Sequence, residues 1–176
     1  LKLELPDTTG RSETSNPAAY DALLQGLERM RQGSETETLA AIEAFERAVA
    51  LDPDYARAHA SLAATYWQIV STLWDLAAGA GYERAYEGMQ KHLALAMREP
   101  TPQAHAVKAE LTQNEGRDDE ALAEIDVALE LAPRDPEVRV TRARILNALG
   151  RAADAEAEVR HAMRLEPAYS PSYQRV

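Results

Sequence analysis

The sequence of 176 residues contains no cysteine. Disulfides, thiolate nucleophiles and cysteine-ligated zinc sites are therefore excluded, and cysteine usage gives no indication of a redox compartment. Aromatic residues make up only 6% of the chain, whereas alanine is abundant, which favours closely packed helices over a β-sandwich. Apolar residues make up 45%, which excludes a mainly disordered chain and is enough for one domain with a sizeable core.

The sequence also lacks any run of about 18 apolar residues, so it predicts no transmembrane helix, and its first residues show no signal-peptide pattern. Basic residues are scattered along the chain, and the formal net charge is −10. Because nucleic-acid binding needs a basic stripe facing the phosphates, we expect no nucleic acid and no anionic membrane surface as a partner. We expect a cytoplasmic location, with the periplasm as the alternative.

Helix signals begin after residue 16. Residues 1–16 have no helical period, and we interpret them as a linker or the end of a preceding domain. Because the first residue is Leu1 rather than methionine, we expect the chain to be a fragment of a larger protein.

Asn16-Pro17, Thr101-Pro102 and Asp135-Pro136 each combine a capping side chain with a proline suited to the first helical turn. Ser34 to Glu37 has the spacing of a capping box. The period of 3.6 predicts helices over about 17–32, 36–50, 56–78, 82–98, 103–114, 118–131, 136–149 and 152–165, and no strand among them.

The helices repeat in pairs. Pro133 and Pro167 each end a helix, and they are 34 residues apart (167 − 133). Each proline follows a small, a large and a second small residue, at the same spacing in three places. These sets are Ala41, Phe45, Ala48 before Pro53; Ala121, Ile125, Ala128 before Pro133; and Ala155, Val159, Ala162 before Pro167. The alanines allow two helices to approach closely, and the large side chain fills the groove between them.

This period of 34 residues, with its small and large positions, resembles the tetratricopeptide repeat (TPR). The resemblance implies an all-α, right-handed superhelical stack of about four antiparallel helix hairpins over residues 17–175. The repeats would span about 17–55, 56–101, 102–135 and 136–169, with the start of a terminal helix at 170–175. It further implies a non-catalytic module for protein–protein interaction or self-association, with no cofactor and no metal.

Two hairpins depart from the plain repeat. Gly26 and Ala41 are 15 residues apart rather than 12, so the first hairpin carries about three extra residues. The first helix of the second hairpin exceeds the pattern by about a dozen residues. The helix at 82–98 fits the repeat in two registers, beginning at Gly88 or at Met89, and the apolar stripe through Met89 favours the second.

The resemblance also implies a concave face lined by the first helix of each hairpin, which would bind a peptide or a helix of mixed character. Capture of a chaperone peptide's C-terminal carboxylate is not expected, since lysine, asparagine and arginine are missing at several positions of the first two repeats. The predicted concave-face residues are Leu23, Leu27, Met30, Ala60, Ala64, Trp67, Gln68, Ala106, Glu110, Gln113, Asn114, Val140, Arg144 and Asn147.

Both tryptophans, Trp67 and Trp74, lie on one helix face because they are seven residues apart. They pack against the helix at 82–98, or they form a patch for a partner or a second copy of the chain. The predicted dimer or partner patch is Tyr66, Val70, Leu73 and Trp74.

The titratable residues predict no catalytic or metal site. His59 and His105 occupy equivalent repeat positions, which indicates packing, and no pair of histidines has a metal-binding spacing. The six acids between Asp118 and Glu130 are interpreted as a favourable helix N-terminus and a solvated outer face. We therefore expect no enzymatic activity.

A narrower resemblance concerns residues 15–66, which contain "SNPAAYDALLQGLERM" and "AIEAFERAVALDPDYARAHASLAATY". They are similar to the TPR region that follows the first domain of some bacterial class III adenylate or guanylate cyclases and TPR-bearing transcription regulators. This resemblance implies an alternative function, a bacterial regulatory module that senses a ligand and controls an attached cyclase or DNA-binding domain.

Overall fold

The computed structural model of the chain describes residues 14–72 and 81–166, and these residues form eight helices. Predictions for residues 1–13, 73–80 and 167–176 lie outside the described residues; they include the linker, the end of the long third helix and the terminal helix. The helices are α1 (Pro17–Gln32), α2 (Glu35–Leu51), α3 (Ala56–Thr72), α4 (Tyr82–Ala96), α5 (Pro102–Asn114), α6 (Asp118–Leu131), α7 (Pro136–Ala148) and α8 (Ala152–Leu165).

The predicted capping residues begin their helices as expected. The side chain of Asn16 accepts hydrogen bonds from two backbone N–H groups of α1, and Asp135 does the same for α7. Thr101 accepts one from Ala104 at the start of α5, and Ser34 accepts one from Glu37 at the start of α2. These bonds satisfy donors that a helix N-terminus otherwise leaves unpaired, which is why the short polar residues determine where each helix begins.

The helices pack in sequence as four hairpins, α1/α2, α3/α4, α5/α6 and α7/α8. The chain divides into two compact units, residues 1–100 with the first two hairpins and residues 101–176 with the last two. In the first unit α2 also packs against α3, and in the second unit α7 packs against both α5 and α6. The predicted all-α fold of stacked antiparallel hairpins is confirmed.

The small and large repeat positions form the interior of the hairpins. Ala41, Ala48, Ala121 and Ala128 are fully buried, and Phe45 is almost so. Phe45 packs directly on the backbone of α1 at Gly26, where an added Cβ would lie 2.8 Å from its Cζ atom. The small residues therefore permit the close helix contact that the repeat pattern predicts.

The extra residues of the first hairpin lengthen its second helix. Helix α2 begins at Glu35, six residues before Ala41, whereas α6 begins at Asp118, three residues before the equivalent Ala121. The added turn buries Thr38, whose hydroxyl donates to the Ser34 carbonyl at 3.0 Å. The insertion is therefore absorbed as helix rather than as a longer loop.

The register of α4 follows the stripe through Met89. Met89 and Ala96 are fully buried and Leu93 is nearly so. Gly88 nonetheless faces the ring of Tyr66, because an added Cβ there would lie 2.9 Å from Tyr66 Cε2. Only the register beginning at Met89 reproduces the buried positions of the other second helices, because Met89 is fully buried whereas Gly88 is half-buried.

Candidate interaction surfaces

The exposed polar part of the predicted lining lies on α5 and α7. We call these residues the polar first-helix face: Glu110, Gln113 and Asn114 on α5, with Arg144 and Asn147 on α7. Glu110 and Arg144 are one repeat apart, as are Gln113 and Asn147. Asn114, Arg144 and Asn147 are exposed, and Gln113 is half-buried. The remaining predicted members in this unit, Ala106 and Val140, are buried beneath the face.

An ion pair connects the two helices of this face. The Arg144 guanidinium lies 2.6 Å from a carboxylate oxygen of Glu110 and also donates to the Thr141 hydroxyl at 3.0 Å. The Arg144 side chain keeps about half of its surface exposed, while that of Glu110 keeps 15%. The pair thus holds a cation at the surface with unused donors, beside amide side chains that both donate and accept.

The predicted lining of the first unit is more apolar and partly buried. Leu23 and Ala60 are fully buried, and Trp67 is 8% exposed. Leu27, Met30, Ala64 and Gln68 are half-buried and contribute the accessible surface of this set.

Two exposed apolar residues on α1 were not among the predicted lining. Tyr20 and Leu24 are 40% and 42% exposed and lie one turn apart. Their spacing from Leu27 was the available sequence signal, since the three residues share one face of α1.

The predicted dimer or partner patch is only partly described. Val70 is buried, and the Tyr66 hydroxyl donates to Glu46 of α2 at 3.3 Å. Burial, together with the Glu46 carboxylate, raises the pKa of Tyr66 to about 12. Leu73 and Trp74 lie outside the described residues, so self-association through this patch stays a prediction.

The second unit contains two equivalent ionic clusters. Glu124 of α6 accepts from His105 Nδ1 at 2.8 Å and from Lys108 Nζ at 2.5 Å. One repeat later, Glu158 of α8 accepts from Arg139 and Arg142, both at 2.9 Å. Each cluster joins the two helices of its hairpin through a carboxylate held between two basic side chains.

The environment of Glu124 fixes its charge state. Burial raises the pKa of this carboxyl, but the hydrogen bonds and charges of Lys108 and His105 outweigh burial and hold it below its usual value. The acids of α6 therefore divide: Asp118, Asp119 and Glu120 are exposed in the first turn, as predicted, whereas Glu124 lies in a half-buried ionic cluster.

A buried histidine pair occupies the corresponding place in the second hairpin. His59 Nδ1 of α3 lies 2.9 Å from His92 Nδ1 of α4, and His59 Nε2 lies 2.8 Å from the Pro53 carbonyl oxygen. The rings are 4% and 7% exposed, and their centroids are 5.1 Å apart in a stacked arrangement. The sequence predicted packing for His59 but gave no sign of its partner.

Two other kinds of site are not found in the part of the chain that the structure describes. Within residues 14–72 and 81–166, no three His, Asp or Glu side chains converge in a way that could hold a metal ion. In the same residues, no helix has the length and apolar character required to cross a bilayer.

Comparison with known proteins identifies the repeat. A family model described as TPR repeat matches residues 38–70, which cover most of α2 and α3. These residues therefore match a tetratricopeptide repeat, and the helix hairpins of the described residues have the TPR fold. No curated protein matches the chain significantly.

Several solved structures are similar to this chain. The thermophilic TPR protein TTC0263 of Thermus thermophilus is 21% identical and has a TM-score of 0.59, and the alignment covers 90% of this chain and 96% of that protein. MamA MSR-1 is 21% identical, with coverages of 86% and 79% and a TM-score of 0.46. YrrB, described as a TPR protein with an unusual peptide-binding site, is 17% identical, with coverages of 92% and 74% and a TM-score of 0.47.

Proposed function

We propose that this chain is a non-catalytic protein-interaction module that binds an extended or helical segment of a partner along its first helices. The observation that carries the proposal is the polar first-helix face, where the ion pair of Glu110 and Arg144 joins equivalent repeat positions of α5 and α7. Polar side chains that recur at one position of adjacent helices can contact a partner at regular intervals, and the backbone of the helices does not have to rearrange for this.

The chemistry of this face suits a peptide backbone. Gln113, Asn114 and Asn147 each offer an amide donor and an amide acceptor, which are the groups that an extended chain presents between its side chains. Arg144, held by Glu110, supplies a positioned cation that can receive a carboxylate of the partner. We therefore expect a segment with unpaired backbone groups and at least one acidic residue.

The first unit supports a different contribution. Leu27, Met30 and Ala64 leave apolar, half-buried surface on α1 and α3, next to the exposed Tyr20 and Leu24. Such a surface favours apolar side chains of a partner, since burying them is the main driving force in the centre of interfaces.

The absence of catalysis is part of the proposal. The titratable groups that lie deepest in the described residues contact one another between paired helices, as His59 with His92 and Glu158 with its two arginines do. Groups engaged in this way join the hairpins together rather than facing a bound substrate.

A selection experiment tests the proposal. The complete chain is immobilised and challenged with a displayed library of random twelve-residue peptides, and enriched peptides are synthesised for calorimetric titration. We expect Arg144→Glu and Asn147→Ala to weaken binding at least tenfold. Arg160→Glu is the matched control, because Arg160 is an exposed arginine of α8 that pairs with the exposed Glu156 in its own helix.

The control should bind within about twofold of the parent chain, since a surface pair of this kind contributes little. Failure to enrich any peptide, or equal weakening by all three substitutions, would contradict binding at the polar first-helix face.

A further inference from the structure

The hydrogen-bond partners of the histidine pair define where its protons lie. The Pro53 carbonyl can only accept, so His59 Nε2 carries a proton and donates at 2.8 Å. Neutral His59 therefore has a bare Nδ1, and the 2.9 Å contact requires that His92 Nδ1 carries the proton and donates to it. With both rings neutral, the hydrogen bond between the two Nδ1 atoms therefore has one donor and one acceptor.

Both histidines of the pair lie at repeat positions that are also occupied in the two later hairpins, where the position of His92 holds a glutamate. His59, His105 and Arg139 each lie four residues before a small residue of the first helix, at Ala63, Ala109 and Ala143. His92, Glu124 and Glu158 each lie three residues after a buried residue of the second helix, at Met89, Ala121 and Ala155.

The second basic residue of the later clusters also has a counterpart. Lys108 and Arg142 correspond to Leu62, which is fully buried. The second hairpin thus replaces an ionic cluster by two neutral histidines and a leucine.

We propose that the His59–His92 pair makes the first unit an acid-sensitive element, stable with both rings neutral and weakened when the buried pair gains a proton. The second unit lacks this response at the corresponding positions, where a carboxylate faces each basic group.

The groups around His92 oppose its charging. A proton on its remaining nitrogen would place a cation on a ring that is 7% exposed, between His59 and the stacked ring of Tyr66. From α4, the charge of Lys91 acts in the same direction, and α2 contributes Glu46, which is engaged with the Tyr66 hydroxyl. The hydrogen bond between the two Nδ1 atoms survives this first proton, so its cost is that of a buried charge, and only a second proton on the pair would remove the bond.

Burial first, and then the charges of His59 and Lys91, lower the pKa of His92 from 6.5 to about 4. In the unfolded chain the pKa of His92 keeps its ordinary value, so between the two pKa values the unfolded chain binds a proton that the folded chain does not bind. The stability from this ring is therefore present above about pH 6.5 and is lost progressively as the pH falls toward 4. Between pH 7 and pH 5 the unfolding equilibrium constant should rise roughly 20-fold through His92.

Tryptophan fluorescence of the full chain provides the test, because Trp67 and Trp74 both belong to the first unit and the chain has no other tryptophan. Urea unfolding is followed at pH 7 and pH 5 for the parent chain and for His92→Gln, whose amide can donate to His59 Nδ1 but cannot titrate. We expect the unfolding constant of the parent to rise at least tenfold more than that of His92→Gln between the two pH values.

Glu124→Gln is the control in the second unit, and it should leave this pH dependence of the fluorescence transition unchanged. An equal pH dependence in the parent and His92→Gln would overturn the proposal. Should His92→Gln fail to fold, nitrogen-15 shifts of the His92 ring decide the matter in the parent. A neutral ring at pH 5 supports the proposal, and a charged ring at pH 5 refutes it.

Discussion

Replacing Gly26 by alanine tests the close contact between α1 and α2. An added Cβ would lie 2.5 Å from Phe45 Cδ1 and 2.8 Å from Phe45 Cζ, far inside van der Waals contact. The Phe45 ring is 1% exposed and lies among fully buried alanines, so it has little room to move aside.

Two opposing effects determine the expected magnitude. Alanine should gain about 1 kcal/mol over glycine inside a helix. Overpacking a core typically costs about 1–3 kcal/mol. The clash involves three ring atoms of a buried side chain, so we place its cost near the upper end. The net prediction for Gly26→Ala is a loss of about 1–2 kcal/mol in the free energy of unfolding.

Urea unfolding of the full chain, followed by tryptophan fluorescence, measures this free energy for the first unit. The double variant Gly26→Ala with Phe45→Leu provides the control, because the smaller side chain removes the ring atoms that meet the Cβ. In the Phe45→Leu background, Gly26→Ala should no longer destabilise the chain, so a double-mutant cycle should give a clear coupling. A stabilisation of about 1 kcal/mol by Gly26→Ala alone, the value for an unhindered helix position, would refute the packing.

Four further predictions concern the ionic clusters and the predicted dimer or partner patch. Glu158→Gln should lower the free energy of unfolding by about 1–3 kcal/mol, because it leaves two partly buried guanidinium groups without their shared carboxylate. Asp126→Asn should lower the free energy of unfolding by less than about 1 kcal/mol in the same urea titration, since the exposed Asp126 carboxylate pairs with Arg142 alone of these two arginines. The Glu124 carboxyl should titrate below its usual pH in a carbon-13 NMR titration, so its contribution persists above pH 4.5 and fades only under more acidic conditions; titration above pH 4.5 would contradict the cluster. Light scattering should show a dimer that Trp74→Ala converts to a monomer, and a monomer for both chains at high concentration would exclude the predicted patch.

Helix limits could be predicted because they depend on local chemistry. Asn16, Thr101 and Asp135 begin their helices through side-chain bonds to the next few N–H groups, and the adjacent prolines favour the same conformation. The repeat spacing then predicted the hairpins, because close packing of two helices requires small residues at intervals of one or two helical turns.

The contacts between hairpin partners were harder to predict. The pairing of His59 with His92 depends on the register of α4, which two spacings fitted almost equally well until the burial of Met89 distinguished them. Glu124 likewise looked like part of an exposed acidic face, because a sequence shows charge but not the basic side chains that approach from the neighbouring helix.

The predicted lining shows the same difficulty at the surface. Leu23 and Ala60 lie one helical turn before the accessible Leu27 and Ala64, yet both are fully buried, while Tyr20 and Leu24 remain exposed. Helical periodicity gives the direction in which a side chain points from the helix axis. How deeply that side chain is buried depends on neighbouring residues that are distant in sequence.

The location of a bound peptide tests the proposed function most directly. A peptide enriched from the random library is titrated into the nitrogen-15-labelled full chain, and the backbone amide shifts are mapped onto the helices. We predict the largest changes on α5 and α7 around Gln113, Arg144 and Asn147, and their loss in Arg144→Glu. Changes confined to the outer surfaces of α6 and α8, or unaltered binding by Arg144→Glu, would contradict recognition by the polar first-helix face.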